Sequence, residues 1–159
     1  MANKIVLVGK AASGKDYLRT RLMDNGLRYG ISYTTRDPRP GEVEGKDYYY
    51  ITVPEFMQLI EAGEIIEYQI FNNWYYGISR NEFEASDIMI MNAEAVEMLP
   101  QDIRKQCTVI YLDIPIEVRR ERLMSRSDQQ DPMENRINLD EQQYANFTNY
   151  DIRITNPDF

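Results

Sequence analysis

Short β-branched runs alternate with segments of helical period along the whole chain. Lys4 to Gly9 predicts a buried strand, followed by a helix from about Gly14 that carries Leu18 and Leu22. Tyr48 to Thr52 is strand-like, and Thr52-Val53-Pro54-Glu55 then has capping-box spacing ahead of Phe56, Leu59 and Ile60 at i, i+3 and i+4, with Gly63 as the stop. Glu64 to Phe71, Asp87 to Met91 and Thr108 to Leu112 predict further strands, and Pro115 opens a helix through Leu123. The polar stretch Ser125 to Pro132 breaks the pattern, a helix resumes to about Phe147, and Asp151 to Thr155 predicts a last strand. Strands alternating with helices imply an α/β domain with a largely parallel sheet. No repeat, low-complexity tract or dividing linker is visible.

A chain of 159 residues fits one domain on a prior of about 150 residues per domain. Apolar residues at 43% and charged residues at 28% are ordinary values, which excludes disordered, collagen-like and coiled-coil classes. The longest purely aliphatic run is Ile5 to Val8, so no bilayer span is expected, and the start Met1-Ala2-Asn3-Lys4 has no signal-peptide core, which implies a cytoplasmic protein. Cys107 is the single cysteine and histidine is absent, so an internal disulfide, a His-based triad and an imidazole base are all excluded. Catalysis has to come from cations, carboxylates and backbone.

The net charge of -8 is unevenly spread. Residues 1 to 40 carry a net of +5, residues 41 to 100 a net of -10, and the remainder -3. A nucleic-acid partner is not expected from an acidic chain, and the positive first quarter points to a local site for a small anion.

The first chemical motif follows the first strand directly, in Gly9-Lys10-Ala11-Ala12-Ser13-Gly14-Lys15-Asp16. Small residues let the backbone wrap a phosphate with inward N–H groups, the next helix presents its positive dipole end, and Lys15 reaches the terminal phosphates. Asp16 stands where this G-x-x-x-x-G-K pattern calls for a Ser or Thr hydroxyl that ligates Mg2+, which makes Asp16 the candidate metal ligand.

A second motif runs Ser32-Tyr33-Thr34-Thr35-Arg36-Asp37-Pro38-Arg39-Pro40-Gly41-Glu42, followed by Gly45-Lys46-Asp47-Tyr48. Prolines and a glycine hold Arg36 and Arg39 on a stiff loop, where two guanidinium forks can grip one phosphate; a Pro-rich surface turn is the alternative. This stretch resembles the nucleoside-monophosphate-binding loop of guanylate kinases. The resemblance continues through Glu64-Ile65-Ile66-Glu67-Tyr68, Asn73-Trp74-Tyr75-Tyr76-Gly77, Arg122-Leu123-Met124-Ser125-Arg126 and Tyr150-Asp151-Ile152-Arg153-Ile154-Thr155-Asn156, covering nearly the whole chain.

The resemblance implies a P-loop NTPase fold of three parts: a core with the sheet, a monophosphate-binding lobe over residues about 33 to 80, and a lid over about 125 to 137. It implies ATP-dependent phosphorylation of GMP or dGMP with Mg2+, by a monomer or homodimer. Arg36, Arg39, Tyr48 and Tyr76 match the positions that hold the GMP phosphate, while Ser32 and Glu67 match those that hold guanine, with Glu94 at an acidic base-contacting position. For Tyr48 and Tyr76, core packing is the alternative. Glu67 has its own alternative, an outward strand position beside Ile66 and Tyr68. On the ATP side the resemblance implies Gly9, Ala12, Ser13, Gly14, Lys15, Asp16 and Tyr17 around the phosphates and Asn156 near adenine. Arg126 and Arg136 would bracket the lid, and the catalytic set would be Lys15, Arg36, Arg126 and Arg136. Arg119 and Arg122 read as a solvated stripe.

Several positions depart from the family pattern. Ile78 lies where the family places a Ser or Thr touching the base, Asn92 replaces an Asp, and the chain stops at Phe159 without the usual C-terminal helix, as in a trimmed member. Two further functions fit the sequence: a kinase of the same fold with another acceptor, such as a different deoxynucleotide or a sugar phosphate, and a non-catalytic binding module. The intact Gly9, Gly14 and Lys15 argue against the module.

Overall fold

The unbroken aliphatic run at the start makes β1 (Lys4–Gly9), in which Val6, Leu7 and Val8 are wholly buried, and it leads into α1 (Lys15–Asp24). The structure is a computed structural model that describes residues 3–125 and 133–159. After α1 the chain leaves the core for β2 (Tyr33–Thr34), β3 (Tyr49–Tyr50), α2 (Val53–Glu61), β4 (Ile65–Phe71) and β5 (Trp74–Ser79). It returns through α3 (Arg80–Ala85) to β6 (Ile88–Ile90), and passes α4 (Ala93–Met98) and α5 (Gln101–Arg104) to β7 (Cys107–Leu112). The last elements are α6 (Ile116–Met124), α7 (Met133–Tyr144) and β8 (Ile152–Ile154).

The core sheet is parallel throughout, in the order β6-β1-β7-β8. Consecutive core strands lie on opposite sides of β1, so the crevice at the carboxyl end of β1 is the topological switch point where ligands of open α/β sheets bind. Beneath that end, Tyr111 of β7 stacks on Tyr144 of α7 with centroids 5.4 Å apart, and Phe147 meets both rings edge-on, which fixes the end of α7 against the sheet.

A second sheet, β3-β2-β5-β4, was not anticipated as a separate layer. Its β2–β3 pair is parallel, whereas β2–β5 and β4–β5 are antiparallel. The β4–β5 hairpin turns on Asn72 and Asn73, both at positive φ (52° and 65°), which suits a two-residue turn matched to strand twist. The expected capping box of α2 forms as read: Glu55 N–H donates to Thr52 Oγ1 at 3.2 Å, and Thr52 N–H donates to Glu55 Oε1 at 3.0 Å. Other boundaries differ. The expected strand from Tyr48 to Thr52 shrinks to two residues, β2 and β5 were not expected as strands, and α3, α4 and α5 are too short to show a helical period. Among the described residues no helix is long and apolar enough to cross a membrane.

Candidate active site

The Gly9–Asp16 motif lies between β1 and α1, where a phosphate loop belongs. Glycine is required twice. A Cβ on Gly9 would come within 2.9 Å of the Leu112 carbonyl oxygen, and Gly14 sits at φ +99° with Phe159 2.8 Å from where its Cβ would be. Ala12 also takes a left-handed φ of 61°. Lys15 folds its ammonium back onto the Gly9 carbonyl.

The loop is braced from α7 and α6. Ala11 N–H donates to Asp140 Oδ2 at 2.7 Å, Lys10 pairs with Glu141 at 3.2 Å, and the Tyr144 hydroxyl both donates to Gly9 O (3.1 Å) and accepts from Gly9 N–H (3.2 Å). From α6, Arg122 Nη1 donates to the Ala12 carbonyl at 3.0 Å. The expected solvated stripe is therefore corrected. Arg119 is 1% exposed, donating from Nε to Ile114 O and from Nη2 to Glu141 at 3.0 Å each, so these acceptors meet two of its three nitrogens while Nη1 is buried with no partner among the described residues.

Arg36 is almost wholly buried, and its fork is gripped by one carboxylate: Nη1 and Nη2 donate to Glu42 Oε1 and Oε2 at 2.9 and 3.1 Å. Glu42 also accepts from Arg39 N–H (2.8 Å) and the Tyr50 hydroxyl (3.0 Å). Burial pushes this carboxyl up, yet the bonds from Arg36, Arg39 and Tyr50 together hold it below the usual carboxylate range. The shielded Nε of Arg36 has no protein partner among the described residues. Its guanidinium lies 5.4 Å from the Tyr48 ring centroid, and Tyr48 meets Tyr76 edge-on at 5.9 Å.

Glu67 on β4 is 6% exposed, and burial pushes its carboxyl up to about 8, only partly offset by the Ile78 N–H. Alternation would have put it opposite Ile66, but Ile66 is buried as well. A bulge explains both: pairing steps from Ile65↔Ser79 to Glu67↔Ile78, so one extra residue on β4 turns Glu67 inward.

Two cavities meet at the switch point. One is walled by Ser32, Glu67 and Tyr76, the other by Ala12, Ser13, Gly14, Asp16 and Tyr17. Lys15, Arg36, Arg39, Tyr48 and Arg136 line both, so most of the expected site residues do converge. Gly9 lines the first cavity, and Asn92 lines it too while its Oδ1 caps α4 by accepting Ala95 N–H at 2.8 Å.

Three positions are not among the lining residues. The Ile78 side chain is 1% exposed and packs in the core, so the contact expected there reduces to its N–H on Glu67. Glu94 is exposed in the first turn of α4, and Asn156 is turned to its own loop, accepting Asp158 N–H at 2.9 Å. Arg126 and most of the expected lid lie outside the described residues. The sequence reading missed Tyr29, Asp140 and Tyr144, which lie outside the motifs read as binding loops, and it read Arg122, a lining residue, as part of a solvated stripe.

The guanylate kinase family profile matches residues 1–159. The curated guanylate kinase of Rickettsia felis is 34% identical over 170 residues, covering 98% of this chain and 85% of that protein. That of Oceanobacillus iheyensis is 48% identical over 81 residues, a match that covers 50% of this chain and 39% of that protein. Among solved structures, a crystal structure of guanylate kinase from Anaplasma phagocytophilum superposes with a TM-score of 0.75 at 24% identity, covering 99% of this chain and 78% of that one, which establishes the shared fold.

Proposed function

The chain belongs to the guanylate kinase family, and we propose that it transfers the γ-phosphoryl group of ATP to the phosphate of GMP or dGMP, releasing ADP and GDP or dGDP. The observation that carries this reading is the shared wall between the two cavities, where Lys15, Arg36, Arg39 and Arg136 converge. A phosphate loop on one side, a buried carboxylate on the other and cations between them suit two phosphorylated substrates meeting end to end.

The acceptor phosphate is already an anionic nucleophile, so no strong base is needed, in keeping with a chain that lacks histidine. Rate comes from alignment and from neutralising charge on the transferring group. Lys15 would leave the Gly9 carbonyl for the γ-phosphate oxygens, and the inward N–H groups of the loop would hold the β-phosphate. Arg36, Arg39, Tyr48 and Tyr76 would hold the acceptor phosphate, and Ser32 and Glu67 the guanine, whose N1–H and N2–H2 donors suit an ionised carboxylate. Residues 33 to 80 would act as the monophosphate-binding lobe and about 125 to 137, with Arg126 and Arg136, as the lid; their closure would exclude water.

Mg2+ bound with ATP would neutralise the β- and γ-phosphate oxygens. Asp16 fits a hard cation of this kind: its side chain is 77% exposed beside Lys15 and, among the described residues, is paired with Arg19 at 3.5 Å. Among the described residues no cluster of three or more ligating side chains could bind a metal alone, which suits an ion held chiefly by phosphates and water.

The buried Ile78 side chain favours a second reading, a kinase of this fold with another acceptor, because one polar contact to the base is missing. A thermal-shift panel of monophosphates followed by coupled ADP release separates the two. GMP and dGMP should stabilise the protein most and support turnover; a different monophosphate leading both assays would replace them.

A further inference from the structure

Among the described residues, the polar side chains common to both cavities are Lys15, Arg36, Arg39, Arg136, Tyr48 and Tyr29. Five of them already have a role in the proposed transfer. Tyr29 has none. Its backbone is tied to the core sheet, bridging Ile88, while the next residue, Gly30, donates its N–H to Ile88 O at 2.8 Å. Tyr29 therefore stands on the rigid core side of the junction and shares both cavities with Arg36 and Tyr48, which lie in the loop between β2 and β3.

Arg19 is four residues along α1 from Lys15 and so on the same helix face. Its guanidinium lies 4.7 Å from the Tyr29 ring centroid, stacked as a cation on the ring. An arginine can only donate, so it cannot take the phenol proton, which remains to be given elsewhere. The cations of the shared wall cannot take it. A phosphate oxygen can. Burial raises the phenol above its ordinary range, so the group stays protonated and donor-competent at neutral pH. Tyr29 also interacts electrostatically with Tyr48, on the acceptor side of the junction.

We propose that the Tyr29 hydroxyl donates a hydrogen bond to the phosphate of the acceptor nucleotide, and that Arg19 is the positioning residue that stacks on its ring and aims it. This rests on the proposed phosphoryl transfer between the two cavities. It adds to the acceptor site a contact from the core rather than from the lobe.

Tyr29→Phe is the direct test, since it keeps the ring and the stacking on Arg19 and removes one hydroxyl. GMP is titrated calorimetrically into the full chain without ATP, and ADP is titrated separately. The variant should bind GMP about tenfold more weakly, the size expected for a hydrogen bond to a charged group, with ADP affinity and apo melting temperature unchanged. Arg19→Met should weaken GMP binding in the wild-type background and add nothing to Tyr29→Phe, and Arg19→Lys should restore part of the loss. GMP affinity within twofold of wild type in Tyr29→Phe would overturn the assignment, as would equal weakening for GMP and ADP. The wild-type titration keeps the two readings apart: if it shows no GMP binding, the proposed reaction itself falls.

Discussion

Glu42 holds both terminal nitrogens of Arg36, at 2.9 and 3.1 Å, and so sets the orientation of the guanidinium before any phosphate arrives. With the two ends of the fork occupied, the face carrying Nε is what remains to be offered. A carboxylate six residues away in sequence thus decides how an arginine meets its ligand.

Glu42→Gln should therefore weaken GMP binding about tenfold while leaving ATP affinity near wild type, because it removes a charge-assisted grip and not a contact to substrate. Arg36→Ala should do more. It leaves Glu42 partly buried without its main partner, at a stability cost of about 2–3 kcal/mol as well as lost GMP binding. Arg36→Lys should not restore binding, since an ammonium cannot span both carboxylate oxygens. Urea melts and GMP titrations on the same preparations read both effects.

Glu67 makes GMP binding pH-dependent. With its carboxyl pushed up to about 8, the empty site is largely protonated at neutral pH, whereas guanine pairs with the ionised form. GMP binding should release a proton and tighten by up to tenfold per pH unit towards pH 8, then level off, with Glu67→Gln flattening the profile. Stability moves the other way. The folded chain keeps this proton to about pH 8 while the unfolded chain loses it near 4.5, so folding stability falls as pH rises through that window, and Glu67→Gln abolishes the fall. Discrimination between GMP and AMP, expected near 10⁴-fold in kcat/KM, should collapse in the same variant.

Lys15→Ala should fold normally and lose turnover by about 10²–10³-fold, since the contact it makes to the transferring oxygens strengthens in the transition state. Single-turnover rates with bound ATP check this without interference from product release.

Asp140 occupies the Ala11 N–H at 2.7 Å, placing a carboxylate in a loop shaped for phosphate. Removing that competing anion in Asp140→Ala should tighten metal-free ADP binding by about three- to tenfold at low salt, and the gain should shrink as salt screens it. Isothermal titrations at two ionic strengths decide the sign.

What could be read from the chain depended on length and period. The aliphatic runs of β1 and β7 and the capping box of α2 announce themselves within a few residues, as does the phosphate loop. The two-residue strands β2 and β3 are held in place by neighbours distant in sequence, with Tyr33 opposite both Tyr49 and Gly77, and carry no period of their own. Arg119 was misread because helical spacing gives a face but not what covers it; Glu141, 22 residues later, is what makes burial tolerable. Tyr29 and Asp140 escaped because each acts where two segments meet, Tyr29 beside Arg19 and Asp140 beside Ala11.

The bulge in β4 gives chain length a role alongside residue identity. A strand that lost the one extra residue between Ile65 and Glu67 would restore regular alternation, and the cause that turns the Glu67 carboxylate inward would be gone with every other side chain of the lobe left unaltered. Acceptor choice in such a lobe can then shift by a one-codon deletion, a step that substitution scanning would never sample.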